Sequence, residues 1–163
     1  MKKSLFLALA LLAGLTPLAA AQSQMPLPPY SSTYSTSNGV RGFYFQAPVP
    51  FIITGLQVPD EQSTGTQNVA VMNMGPTTPP SASVITAAQQ QFLKTNVASN
   101  TVISCNIVFQ KGDWVFILGC AGDASSQKSS YGSGPFASNV LGSSVTLNRL
   151  WMNSNIVTCG VVG

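Results

Sequence analysis

The sequence contains no histidine, and in 163 residues it has only four acidic and seven basic side chains. Each shortage narrows the chemistry. Histidine is the most frequent general acid–base group and the usual base beside a nucleophilic Ser or Cys. It is also a standard zinc ligand, and Cys105, Cys120 and Cys159 are too scattered for a clustered thiolate site. Asp60 and Glu61 are adjacent, but Pro59 precedes them and Gln62-Ser63-Thr64-Gly65 follows, the composition of a solvated loop. A paired-carboxylate glycosidase needs two carboxyls about 5–9.5 Å apart across a cleft. Asp113 or Asp123 would have to supply the partner, and the loop reading is preferred. The same oxygens have no recognisable calcium-loop spacing. These absences point to a protein that is not an enzyme, with no catalytic residue, cofactor or metal.

A long apolar run is missing too, except at the start. Lys2 and Lys3 precede the apolar stretch Ser4 to Leu15, which is short for a bilayer span, and Ala19-Ala20-Ala21 offers a small-residue cleavage site. Residues 1–21 read as a secretory signal peptide cleaved after Ala21, in preference to a retained anchor. No cysteine stands at the cleavage position to carry a lipid. The expectation is a secreted, extracellular chain with no membrane span after residue 21.

Without the leader, Arg41, Lys94, Lys111, Lys128 and Arg149 face four acidic residues, so five minus four leaves a net charge of +1. The basic character of the whole chain therefore comes largely from its leader, and a nucleic-acid partner is not supported. Nine charged side chains for residues 22–163 are far fewer than a dispersed monomer usually carries. Either the surface tolerates this, or neighbouring subunits or glycans cover it. There is no Asn-x-Ser/Thr sequon. Attached sugar would therefore be O-linked, in the Ser/Thr-rich stretches 31–37 and 77–83, with Ser31, Ser32, Thr33, Thr77 and Thr78 as candidates.

Glycine and proline punctuate the chain about every ten residues, and helical periodicity is nearly absent. That pattern predicts an all-β, jelly-roll-like β-sandwich of about eight antiparallel strands. The strands expected are 40–47, 51–58, 67–74, 90–97, 101–110, 114–120, 144–152 and 155–162, with a short helix as the alternative over 84–94. Lys111-Gly112-Asp113-Trp114 reads as a two-residue type II′ hairpin turn. That register sets Phe109 opposite Phe116, Ile107 opposite Leu118 and Cys105 opposite Cys120. A Cys105–Cys120 disulfide is the first choice, with Cys159 left as a thiol or as an alternative partner.

Residues 22–39 form an extended arm ahead of the 40–163 domain. Met25-Pro26-Leu27-Pro28-Pro29 should be extended, and Tyr30 to Thr36 have β character without charge. Tyr30 and Tyr34 would share one face of a strand. The arm is either an unstructured tail or a strand offered to another molecule, with Leu27, Tyr30, Thr33 and Tyr34 as its contact residues. At the other end, Asn155 to Gly163 is uncharged and β-prone, and would need pairing within the domain or by a neighbour. Tyr30, Tyr34, Trp114, Tyr131 and Trp151 could instead line a sugar-binding face, although packing at the core or its rim is the preferred reading for them.

The runs Val40-Arg41-Gly42-Phe43-Tyr44-Phe45-Gln46-Ala47-Pro48 and Phe51 to Glu61 resemble a family of small exported bacterial proteins. So do Gly112-Asp113, Ile117-Leu118-Gly119, Ser130-Tyr131-Gly132, Gly134-Pro135-Phe136 and Val145 to Leu150. Some members look like the jelly-roll protomers of environmental extracellular fibrils, in which an N-terminal strand enters the groove of the next subunit. The resemblance implies a structural subunit whose partner is itself, a homopolymer built head to tail. The alternative is a secreted carbohydrate-binding or adhesive module acting as a monomer.

Overall fold

The computed structural model describes residues 22–77 and 88–158. The expected leader, Thr78, the start of the 84–94 segment, Cys159 and the last residues of the chain lie outside them. The described chain is all-β. Its ten strands are β1 (Ser32–Thr36), β2 (Val40–Gln46), β3 (Phe51–Leu56), β4 (Thr66–Asn73), β5 (Gln90–Ala98), β6 (Ile103–Phe109), β7 (Trp114–Gly122), β8 (Gln127–Tyr131), β9 (Phe136–Val140) and β10 (Ser143–Met152).

Two curled sheets make up the sandwich. The larger is organised on β7, which pairs antiparallel with β2 along Trp114–Gly119, with β4 along Val115–Ala121, and with the start of β8. β5 extends this sheet beyond β4, β10 beyond β2, and β1 beyond β8. The smaller sheet is the pair β3–β6. β7 and β4 are buried along almost their whole length because both of their faces are covered. β6 alternates because only one of its faces is covered.

The main core fills the space between the sheets. Phe45, Val71, Val115 and Leu147 of the large sheet meet Ile107 and Phe109 of the small one. A run of rings joins the layers, with Phe45 to Phe51 at 6.1 Å and Phe51 to Phe109 at 5.3 Å between centroids. The reverse face of the large sheet holds a second cluster of Val40, Met72, Phe116, Leu118 and Leu150, with Ile156 against it. β10 takes part in both. Its first half pairs with β9 and turns Val145 and Leu147 into the main core, while its second half pairs with β2 and turns Leu150 and Met152 to the reverse face. The other side chains of that second half, Arg149 and Trp151, are left exposed.

The expected Gly112–Asp113 hairpin does not form. β6 pairs with β3, and β7 pairs with β2 and β4, so the link between them is a corner that passes from one sheet to the other. Gln110 to Asp113 make a turn in which the Asp113 N–H donates to the Gln110 carbonyl (3.1 Å), with Gly112 at φ +94°. Positive φ at the third position is the type II signature, where glycine is favoured. The turn is held from outside: Gly112 N–H donates to Ala47 O, and the Asp113 carboxylate accepts from Gln110 N and Asn73 Nδ2 at 2.9 Å each. Alternation fixed which face of each strand is buried, and that is common to a hairpin and a corner. It did not fix which strand lies alongside.

The cysteine pairing falls with the hairpin. Cys105 and Cys120 are free thiols in different clusters. The Cys105 thiol donates to Ile53 O at 3.3 Å, and the Cys120 thiol to Gln127 Oε1 at 3.6 Å. Burial pushes the Cys105 thiol up, and pushes Cys120 up to about 12 against a smaller opposing effect from Asn68. The strand expected from Asn155 begins instead as a turn, its Asn155 Oδ1 accepting from Val157 N and Thr158 N. Over 90–94, the alternative helix gives way to β5.

Three buried amides brace the loops. Gln67, fully buried on β4, accepts from Val58 N at 2.8 Å and donates to Ala98 O and Thr101 O at 2.9 and 2.7 Å. It therefore fastens the exit of β3 and the link from β5 to β6 onto the large sheet. Asn68 accepts from Asn96 N, and Gln127 accepts from Ile156 N.

Candidate assembly groove and a cationic aromatic site

Among the described residues β3 pairs only with β6, and β9 only with β10. Each therefore keeps one open edge. β3 and the Asn139-Val140-Leu141 end of β9 flank a groove of about 490 Å³, with Ile117 and Val102 also in its lining. Residues 22–25 and Leu27 of the same chain complete its lining. Met25 packs against the main core, and Pro26 O accepts from Ser138 Oγ on β9 at 2.6 Å. This segment has no strand pairing. Around the groove the surface is apolar: Ile52 and Val108 face each other across β3 and β6 and are half exposed, as are Leu141 and Leu27.

The expected arm divides in two. Residues 22–30 form no strand, whereas Ser31 N donates to Tyr131 O at 3.0 Å and Ser32–Thr36 form β1, in register with β8 from Ser32–Tyr131 to Thr36–Gln127. Tyr30 and Tyr34 therefore do not share a strand face: Tyr30 is half exposed and its hydroxyl shares a hydrogen bond with Thr33 Oγ1 at 3.0 Å, and Tyr34 is built into the sheet. The two tyrosine positions looked equivalent in sequence. The difference arises from β8, a polar Gln-Lys-Ser-Ser-Tyr strand with no apolar alternation to announce it. Of the candidate sugar-bearing positions, the Ser31 hydroxyl donates to Tyr131 O, Ser32 and Thr33 belong to β1, and Thr77 is exposed.

A second site lies where β1, β2, β8 and β10 meet. The chain's two arginines, Arg41 and Arg149, are both there. Arg41 is stacked over Tyr34 at 3.9 Å and Tyr131 at 4.5 Å, and Arg149 over Tyr131 at 4.4 Å. Trp151 is the register partner of Arg41 and is 56 % exposed. Arg41, Arg149, Leu150 and Trp151 line a cavity of about 340 Å³. Arg41 Nε is buried without a hydrogen-bond partner. The Tyr131 hydroxyl is held below the ordinary tyrosine range by a hydrogen bond with Ser32 and then, against some desolvation, by the charges of Arg41 and Arg149. Tyr34, Tyr131 and Trp151 are three of the aromatics that the sequence offers for a sugar-binding face. The arginines carry no such signal in the sequence, being 108 positions apart and meeting only through the β2–β10 pairing.

The four carboxylates each serve a turn or a tether. Asp60 is raised by partial burial, but hydrogen bonds from Thr64 N and Gly65 N, with others from Ser99 and Thr64 Oγ1, outweigh this and hold it below the ordinary carboxylate range. Asp123 is lowered by the Ser125 hydroxyl, Ser125 N and Ser126 N. Asp113 holds the corner described above, and Glu61 accepts from Ser130 Oγ. Trp114 packs against Tyr44 at 6.0 Å between centroids.

No family model, curated protein or solved structure matches the chain.

Proposed function

We propose that the chain is an exported structural subunit that polymerises outside the cell, donating residues 22–31 to the groove of a neighbouring copy. The observation that carries this reading is the groove between the open edges of β3 and β9, which residues 22–25 and Leu27 help to line. An extended segment that enters such a gap gains backbone hydrogen bonds from strand edges that otherwise have none. Met25 and Leu27 add apolar burial, worth about 1.5–3 kcal/mol for each such side chain that becomes fully buried. The same segment can fill its own groove or a neighbour's, because contacts of equal kind are available in both. Exchange between copies is head to tail, which propagates rather than closes. Low surface charge and the half-exposed pair Ile52 and Val108 favour close approach of subunits.

The test is negative-stain microscopy and sedimentation of the protein lacking the leader, beside a variant that also lacks residues 22–31. β1 is retained in the shorter chain, so the large sheet keeps all its strands. Thin regular filaments from the longer chain and a folded, non-sedimenting shorter chain are expected. Filaments that persist without residues 22–31 would refute strand donation.

A further inference from the structure

We propose that Arg41, Arg149, Tyr131 and Trp151 form a binding site for an acidic polysaccharide, recognised through the carboxylate and ring face of a uronic acid unit. Two guanidinium groups stacked on one tyrosine repel each other, and among the described residues no carboxylate pairs with either. Such a pair is a ready receptor for an anion, because a guanidinium offers a planar fork that matches a carboxylate in two parallel hydrogen bonds. Arg41, which lines the cavity, also has a buried Nε donor with no partner.

Trp151 makes the site more than a charge trap. Its exposed ring stands beside Arg41 and two residues along β10 from Arg149, so a flat apolar surface borders the cationic one. A pyranose carrying a carboxylate presents both complements, an apolar C–H face for the indole and an anion for the arginines. The cavity, at about 340 Å³, falls at the small end of the ligand-site range of about 300–1,000 Å³. The scaffold is pre-set: Arg41 N donates to Ser129 Oγ at 3.1 Å and Ser129 Oγ donates to Gly119 O at 3.1 Å, tying β2, β7 and β8 together beneath the site. Strand donation at the β3–β9 groove does not require this site, and either reading can fail without the other.

The experiment is titration of the purified protein with a trigalacturonate, followed by tryptophan fluorescence and calorimetry. The neutral trisaccharide of the same linkage and inorganic phosphate serve as comparison ligands. Saturable binding of the trigalacturonate is expected, weakening as salt is raised and at least about tenfold weaker in Arg149→Gln and in Trp151→Ala. Both side chains are exposed, so melting temperatures close to the parent's will show that the variants are folded. Arg149→Lys should fall between parent and Arg149→Gln, since it keeps the charge and loses the fork. Absence of saturable binding, equal binding of the neutral sugar, or unchanged affinity in both variants would overturn the proposal. Phosphate binding as tightly as the uronate would also overturn it, by reducing the site to a bare anion contact.

Discussion

Replacing Gln67 with leucine tests whether one buried amide holds the small sheet, and with it the groove, onto the large one. The side chain is fully buried and makes three backbone bonds, to Val58 N, Ala98 O and Thr101 O. Leucine has nearly the same size and none of these bonds. Ala98 O keeps the Thr101 hydroxyl as a partner, and Thr101 lies at the surface where water can reach its carbonyl. The Val58 N–H has no such relief, because Val58 is only 6 % exposed. A buried, unsatisfied donor costs about 1–3 kcal/mol, and loss of the other two bonds adds to it, while the extra apolar burial of leucine offsets part. The net expectation is a loss of about 2 kcal/mol, which for a chain of this size lowers the melting temperature by roughly 5–10 °C. Gln67→Glu separates hydrogen bonding from packing. Its carboxylate can still accept from Val58 N but faces two carbonyl oxygens, so burial and those dipoles raise its folded pKa above the unfolded value. The folded state then binds the extra proton, and the deficit shrinks as pH falls through that raised pKa. Thermal melts by circular dichroism between pH 4 and 8 provide the readout. A Gln67→Leu protein as stable as the parent, or a Gln67→Glu protein whose deficit does not shrink on acidification, would refute the reasoning.

Gly42→Ala should prevent folding or lower the melting temperature by well over 10 °C, because a Cβ there would lie 1.8 Å from the Ile117 carbonyl oxygen on the paired strand. Alkylation of the native protein followed by peptide mass mapping should label Cys105 faster than Cys120 and find no 105–120 bridge, since the Cys120 thiol is fully buried and its pKa is near 12. Asp60 is held below the ordinary carboxylate range in the folded state, so its contribution is present at neutral pH and is lost in acid as pH falls through the folded pKa. Asp60→Asn should accordingly lower the melting temperature at pH 7 and flatten its fall in acid, as followed by fluorescence melts.

The sequence carried the architecture where periodicity was strong. β2, β3, β4, β6, β7 and β10 lie within a few residues of the expected ranges, because each has at least one covered face that imposes alternation or an apolar run. β8 and β9 were overlooked for the opposite reason. Gln-Lys-Ser-Ser-Tyr and Phe-Ala-Ser-Asn-Val have too little apolar pattern, and they become strands because β1 and β10 present edges to them. Partner choice was the least legible quantity: Gly112 signalled a turn correctly, but the sheet that receives β7 depends on contacts with Ala47 and Asn73 far along the chain. The groove illustrates the same limit. Of its two flanking strands only β3 was visible in the sequence, and the open edges that define it became apparent only once the pairings of β3 and β9 were known.

Strand donation between copies is tested most directly by a mixing experiment with engineered cysteines. Leu27 and Thr54 both line the groove, one on the extended segment and one on β3. In a background with Cys105, Cys120 and Cys159 changed to alanine, chains carrying Leu27→Cys are mixed with isotopically heavy chains carrying Thr54→Cys. The mixture is allowed to assemble, oxidised and mapped by mass spectrometry. Exchange of residues 22–31 between copies predicts light–heavy dimers joined through positions 27 and 54. The account is contradicted if the mixture yields no such dimers while a single chain carrying both substitutions closes the bridge within itself.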